Sequence, residues 1–207
     1  MTKIGAPGAL APAPPRPRRD LRVDQTVARE VAAAYLDGTE HRDPRTVAAF
    51  GRLAAETDRL FRWITDPARP GSVRVVFTKC DSPYRDAKEL ISSVTHLRTL
   101  EVTTVAVDRD RRHPLFGNEV GGDYDRFRAV HDVLGHAEMQ LGFDRDGEFA
   151  VWLAQERFHS PLARLALGPE LHGQHSVRWT TGEVAEPKAM LFDEALLRRA
   201  RPKEMQR

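Results

Sequence analysis

Two histidines, His131 and His136, stand five positions apart in the run Phe127-Arg128-Ala129-Val130-His131-Asp132-Val133-Leu134-Gly135-His136. Imidazole is neutral near physiological pH and is the commonest metal-binding side chain. Two of them held close by one short segment supply part of a coordination shell. On an ideal helix of 3.6 residues per turn, residues five apart point about 140° from each other. Both therefore reach one ion only if the helix ends or unwinds between them. Gly135, directly before His136, permits such a break at low steric cost. The pair with its glycine predicts a mononuclear metal site.

The third ligand should be a carboxylate. A helix over residues 124–141, a turn at 142–147 and a helix over 148–159 make an antiparallel helical hairpin. Folding it about its midpoint places Glu148 near His136, Trp152 near His131 and Glu156 beyond them. Glu148 is the better geometric match and Glu156 the alternative, while Glu138 lies too close to His136 on another face. Two histidines and one carboxylate on one side of an ion leave open positions, the arrangement of non-haem ferrous oxygenases. The expected metal is Fe(2+), with other divalent metals compatible with the same donors. Asp132 is expected to orient a ligand histidine through its second ring nitrogen or to cap the helix.

Further residues are candidates around this centre. Arg126 and Arg128 precede the histidines and could pair a substrate carboxylate. Trp152, His175 and the segment 169–179 are expected to meet a small-molecule substrate. Gln174, in a polar network with Glu170, is expected to act in catalysis with Asp132. His159 and His172 could line the same pocket, although any one of eight histidines is more often structural than functional.

His131-Asp132-Val133-Leu134-Gly135-His136 resembles the iron motif of the pterin-dependent aromatic amino acid hydroxylases. In that family two histidines of a His-[Asp/Glu]-x-x-Gly-His segment and a glutamate on a later helix hold the iron. Trp152-Leu153-Ala154-Gln155-Glu156 resembles the family's Trp-x-x-x-Glu run, which implies Glu156 as the third ligand. A wider likeness runs over residues 77–179. Asp81-Ser82-Pro83-Tyr84, Phe127 to Asp132, Gly147-Glu148, Ala150-Val151-Trp152 and Gly173-Gln174 resemble an uncharacterised group of bacterial and phage proteins. That group shares a Phe-Arg-x-Val-His-Asp-x-x-Gly-His core followed by Gly-Glu, which implies Glu148.

Two rival classes use the same residues differently. A metal-dependent phosphohydrolase of the His-Asp type would take His131-Asp132 as its central doublet. It would also need His96 or His113, with Asp144 or Asp193, converging on the ion. A non-catalytic metal-stabilised module, of the kind that accompanies phage DNA into a host cell, is the third class.

The elements that must position these groups follow from periodicity. Val27, Val31, Ala34 and Tyr35 predict a helix over 23–36 that Gly38 stops. Asp43-Pro44 opens a second helix with an apolar stripe through Val47, Phe50, Leu53, Leu60, Phe61 and Ile64, closed by Asp66-Pro67. Residues 73–78 and 100–107 are rich in β-branched residues and predict strands flanking a helix over 85–97. A charged, glycine-bearing loop spans 109–122. Ser160-Pro161 begins a helix ending near Gly168, residues 170–187 are expected to be mostly irregular with a short strand at 176–180, and 192–199 predicts a terminal helix. The pattern is α+β, mostly helical, with a helical hairpin beside a small two- or three-stranded sheet.

At 207 residues the chain suits one domain plus extensions. The expected division is a disordered Pro/Arg-rich arm at 1–20, a single metal-binding catalytic domain at 21–200 and a flexible tail at 201–207. The single cysteine, Cys80, makes no internal disulfide and points to a reducing cytoplasm. No apolar run approaches the roughly 20 residues of a membrane span. A formal charge of +2 with interspersed signs argues against a nucleic-acid partner.

Overall fold

A computed structural model describes residues 21–104, 113–117 and 119–205. The expected arm at 1–20 and residues 109–112 and 118 of the 109–122 loop lie outside the described residues. Asp24 accepts from Thr26 and Val27 backbone N–H groups to start helix α1 (Gln25–Asp37). Asp43 does the same for α2 (Pro44–Thr65), with Pro44 in the first turn as expected. Strand β1 (Arg74–Thr78) leads through α3 (Ala87–Ser92) into β2 (Thr99–Thr103). The two strands pair in parallel with Arg74 opposite Thr99, so the small sheet has two strands among the described residues. The second strand ends at Thr103, short of the expected 107, and residues 105–107 are outside the described ones.

After the sheet come α4 (Asp123–Val130), α5 (Arg145–Gln155), α6 (Pro161–Leu167), α7 (Gln174–Thr181) and α8 (Glu194–Ala200). The fold is α+β and mostly helical. One buried cluster joins α1, α2, α5, α6 and α8 through Tyr35, Phe50, Leu53, Trp152, Leu167 and Leu197. A second lies between the sheet, the end of α2 and α4, through Leu60, Ile64, Leu100, Val102, Val130 and Leu134. The segment from His131 to His136 packs into the second cluster through Val133 and Leu134. Among the described residues no helix is long and apolar enough to cross a membrane.

Two expectations are corrected. Residues 176–180 form part of helix α7, not a strand. Their β-branched residues suggested β structure, but Ser176 and Val177 are buried while Arg178 to Thr181 are exposed, as one face of a helix packed on α1 requires. Residues 201–205 of the expected tail are also engaged. The Arg201 guanidinium donates to Glu156 at 2.7 and 2.8 Å, and Met205 packs on the first cluster.

Candidate metal centre

Past α4 the helix does not break at its histidines but unwinds into a wider form, one of the two expected ways for both to reach one ion. Residues His131–Ala137 form a π-helical segment. Glu138 N–H donates to Val133 O and Leu141 N–H to His136 O, each five residues back. A ladder of i→i+5 bonds sets residues five apart one above the other, and such bulges often mark functional sites. The rings of His131 and His136 accordingly meet edge to face with centroids 4.8 Å apart. The expected break at Gly135 is a correction too. This glycine has no left-handed φ. A Cβ there would stand 2.4 Å from Val151 Cγ1, so its absence lets α5 approach and delivers Glu148.

Each histidine is held from behind. His136 Nδ1 lies 3.1 Å from Leu141 O, a group that only accepts, so the ring proton sits on Nδ1. His131 Nδ1 lies 3.2 Å from Gln155 Oε1 and is held in the same sense. Both proton-free Nε2 atoms then face each other across 3.0 Å. Glu148 Oε2 closes the triangle at 3.5 Å from each. That oxygen is buried and has no hydrogen-bond partner. Burial alone would raise the Glu148 carboxyl, yet His175, His131 and His136 hold it well below the carboxylate range. Burial would lower His136, and the adjacent Glu148 outweighs it and raises that imidazole.

Lone pairs converging on one point, with an orphaned carboxylate oxygen among them, are a defect unless a cation occupies that point. Donors 2.0–2.2 Å from one ion stand about 3.0 Å apart when octahedral and cis, and about 3.4 Å when tetrahedral. The observed sides of 3.0, 3.5 and 3.5 Å fit that range. His131, His136 and Glu148 form the one such group among the described residues.

The triad opens into a cavity of about 410 Å³ that Asp132, Arg128, Gln174 and His175 also line, within the size range of small-molecule pockets. A larger cleft of about 670 Å³ holds His96 and none of the triad. His175 Nδ1 lies 3.3 Å from Glu148 Oε2 at an angle that makes no hydrogen bond. Asp132 orients neither ligand, since Gln155 and Leu141 take that part. Its carboxyl is raised by burial against the pull of His131, His136 and Arg128.

Other expectations fare differently. Trp152 is fully buried and stacks at 7° on His172 with centroids 4.4 Å apart, so it belongs to the core and not to a substrate surface. Glu156 is spent on Arg201, which removes it as a ligand. Arg126 is committed to Asp58 at 2.6 Å and to Gly121 O. His159 pairs with Glu56. The residues that a His-Asp phosphohydrolase would need are engaged elsewhere. His113 binds Glu170, Asp144 caps α5, and Asp193 caps α8.

The expected Glu170–Gln174 contact is present at 3.0 Å, and His113 extends it. Gln155 was missed, although it lies seven residues after Glu148 and so on the same helix face. His113 had no comparable signal. The chain matches no family model, no curated protein and no solved structure.

Proposed function

We propose that this protein is a non-haem iron(II)-dependent oxygenase or hydroxylase acting on a small metabolite in the cavity beside His131, His136 and Glu148. The observation that carries it is the convergence of two proton-free imidazole nitrogens on a buried carboxylate oxygen that lacks a partner. A bound ferrous ion would supply redox chemistry and sites open to dioxygen, which two histidines and one carboxylate leave available. The resemblance of His131-Asp132-Val133-Leu134-Gly135-His136 to the hydroxylase iron motif supports iron over zinc. Asp132, beside the ligands and raised by burial, would hold or release a proton. A reducing cytoplasm suits ferrous iron and the exposed thiol of Cys80.

Metal analysis of protein purified without oxygen is the test. Iron near one atom per chain, a high-spin nitrosyl resonance on adding nitric oxide, and oxygen uptake with small-molecule substrates are the expected results. Stoichiometric zinc with no nitrosyl signal would overturn the iron reading.

A further inference from the structure

The direction of one buried hydrogen-bond chain bears on what the cavity accepts. Leu115 N–H can only donate, and it points at His113 Nδ1 at 3.3 Å. The His113 proton is therefore on Nε2, donated to Glu170 Oε1 at 2.8 Å. Glu170, wholly buried as a side chain, accepts at its other oxygen from Gln174 Nε2 at 3.0 Å. Every polarity in the chain follows from the first, because a carboxylate only accepts. Gln174 is thereby fixed with its amide nitrogen turned inward, and its carbonyl oxygen, on a residue of the cavity wall, has no hydrogen-bond donor among the described residues.

Among acidic lining residues the same cavity has two arginines, the exposed Arg178 and, deeper, Arg128. Arg128 is half-buried, spends one N–H on Thr103 O, and has no carboxylate within ion-pair distance among the described residues. A guanidinium has five donors in a rigid fork that suits a carboxylate. Its neighbour Arg126 is ion-paired with Asp58, donates to Gly121 O and does not line the cavity, so the structure separates two arginines that sequence treats alike.

We propose that the cavity selects a small carboxylic acid bearing a nearby O–H or N–H donor. Its carboxylate lies on Arg128 and its donor on Gln174 Oε1, with Glu170 and His113 as positioning residues behind Gln174. This rests on the metal-site cavity being the substrate pocket, and it holds whichever metal is bound. A simple amine or neutral molecule leaves the Arg128 guanidinium without a carboxylate to pair with. An acid lacking the donor leaves the Gln174 acceptor unpaired.

Calorimetric titration with phenylacetate, mandelate and benzylamine tests it. The full chain is used as purified and again after metal removal, so that chelation of mandelate by the metal is separated from binding by the protein. Without metal, mandelate should bind about tenfold more tightly than phenylacetate, one hydrogen bond's worth, and benzylamine should not bind. Arg128→Gln should weaken both acids at least tenfold, with Arg128→Lys recovering part of the loss. Glu170→Gln frees the Gln174 amide to turn over and should erase the preference for mandelate while leaving phenylacetate unchanged. Gln174→Met should do the same and leaves the buried His113–Glu170 pair in place. Equal binding of the two acids by the native chain, or acid binding indifferent to Arg128, would overturn the proposal. Neither result depends on which metal the protein holds, so the iron reading stands or falls separately.

Discussion

At the scale of single residues, the candidate centre is defined by what stands behind each donor. Leu141 O and Gln155 Oε1 turn both Nε2 atoms to the same point. His131→Ala and His136→Ala should each abolish stoichiometric metal binding, and Glu148→Ala should cost far more affinity than Glu156→Ala. Gln155→Ala should weaken metal binding by about 10–100-fold, the usual effect of losing an orienting partner. Asp132→Ala should leave metal affinity near native, because Asp132 touches neither Nδ1. Titration of each metal-free variant with ferrous ion under anaerobic conditions reads all of these. A loss at Asp132 matching that at Gln155 would show that the orienting role has been assigned to the wrong residue.

At the scale of elements, the π-helical segment does what an α-helix could not. The five-residue spacing of His131 and His136 was plain in the sequence, and so was the conflict with 3.6 residues per turn. The resolution was not, because an i→i+5 ladder has no compositional mark comparable to a proline or a capping serine. Gly135 was legible as special but for a different reason, since its partner Val151 lies on a helix whose approach only the fold reveals. The same limit explains residues 176–180, where local β propensity yielded to packing against α1. Gly135→Ala should gain about 1 kcal/mol of helix propensity and lose roughly 1–3 kcal/mol to overpacking, with net destabilisation. Adding Val151→Ala removes the obstructing methyls. The double variant should then be more stable than the sum of the two single changes, as measured by urea unfolding of the three proteins. Strict additivity would mean that the close approach of these two helices does not constrain position 135.

At the scale of the whole molecule, the class of fold and the helix starts at Asp43 and Ser160 were readable from sequence, whereas the long-range pairs that close the structure were not. Glu156 looked like a ligand candidate from its spacing, but its partner Arg201 lies 45 residues on. No periodicity relates the two. His159 and His172 were likewise unreadable, and both are buried without charge. Burial pushes His159 down to about 4 and His172 down to about 3. Unfolded, each should titrate near 6.5, so between these values the unfolded chain binds more protons and stability rises with pH. The contribution is fully present above about pH 6.5 and is lost as pH falls toward the folded values. His172→Phe keeps a ring stacked on Trp152 and removes one of the two sites. Urea midpoints of the metal-free proteins between pH 7.5 and 5 should therefore fall less steeply for the variant. The difference in slope should approach about 1.4 kcal/mol per pH unit at the acid end, the equivalent of one proton. Identical slopes would show that His172 takes up its proton in the folded protein, and that its place under Trp152 is open to water.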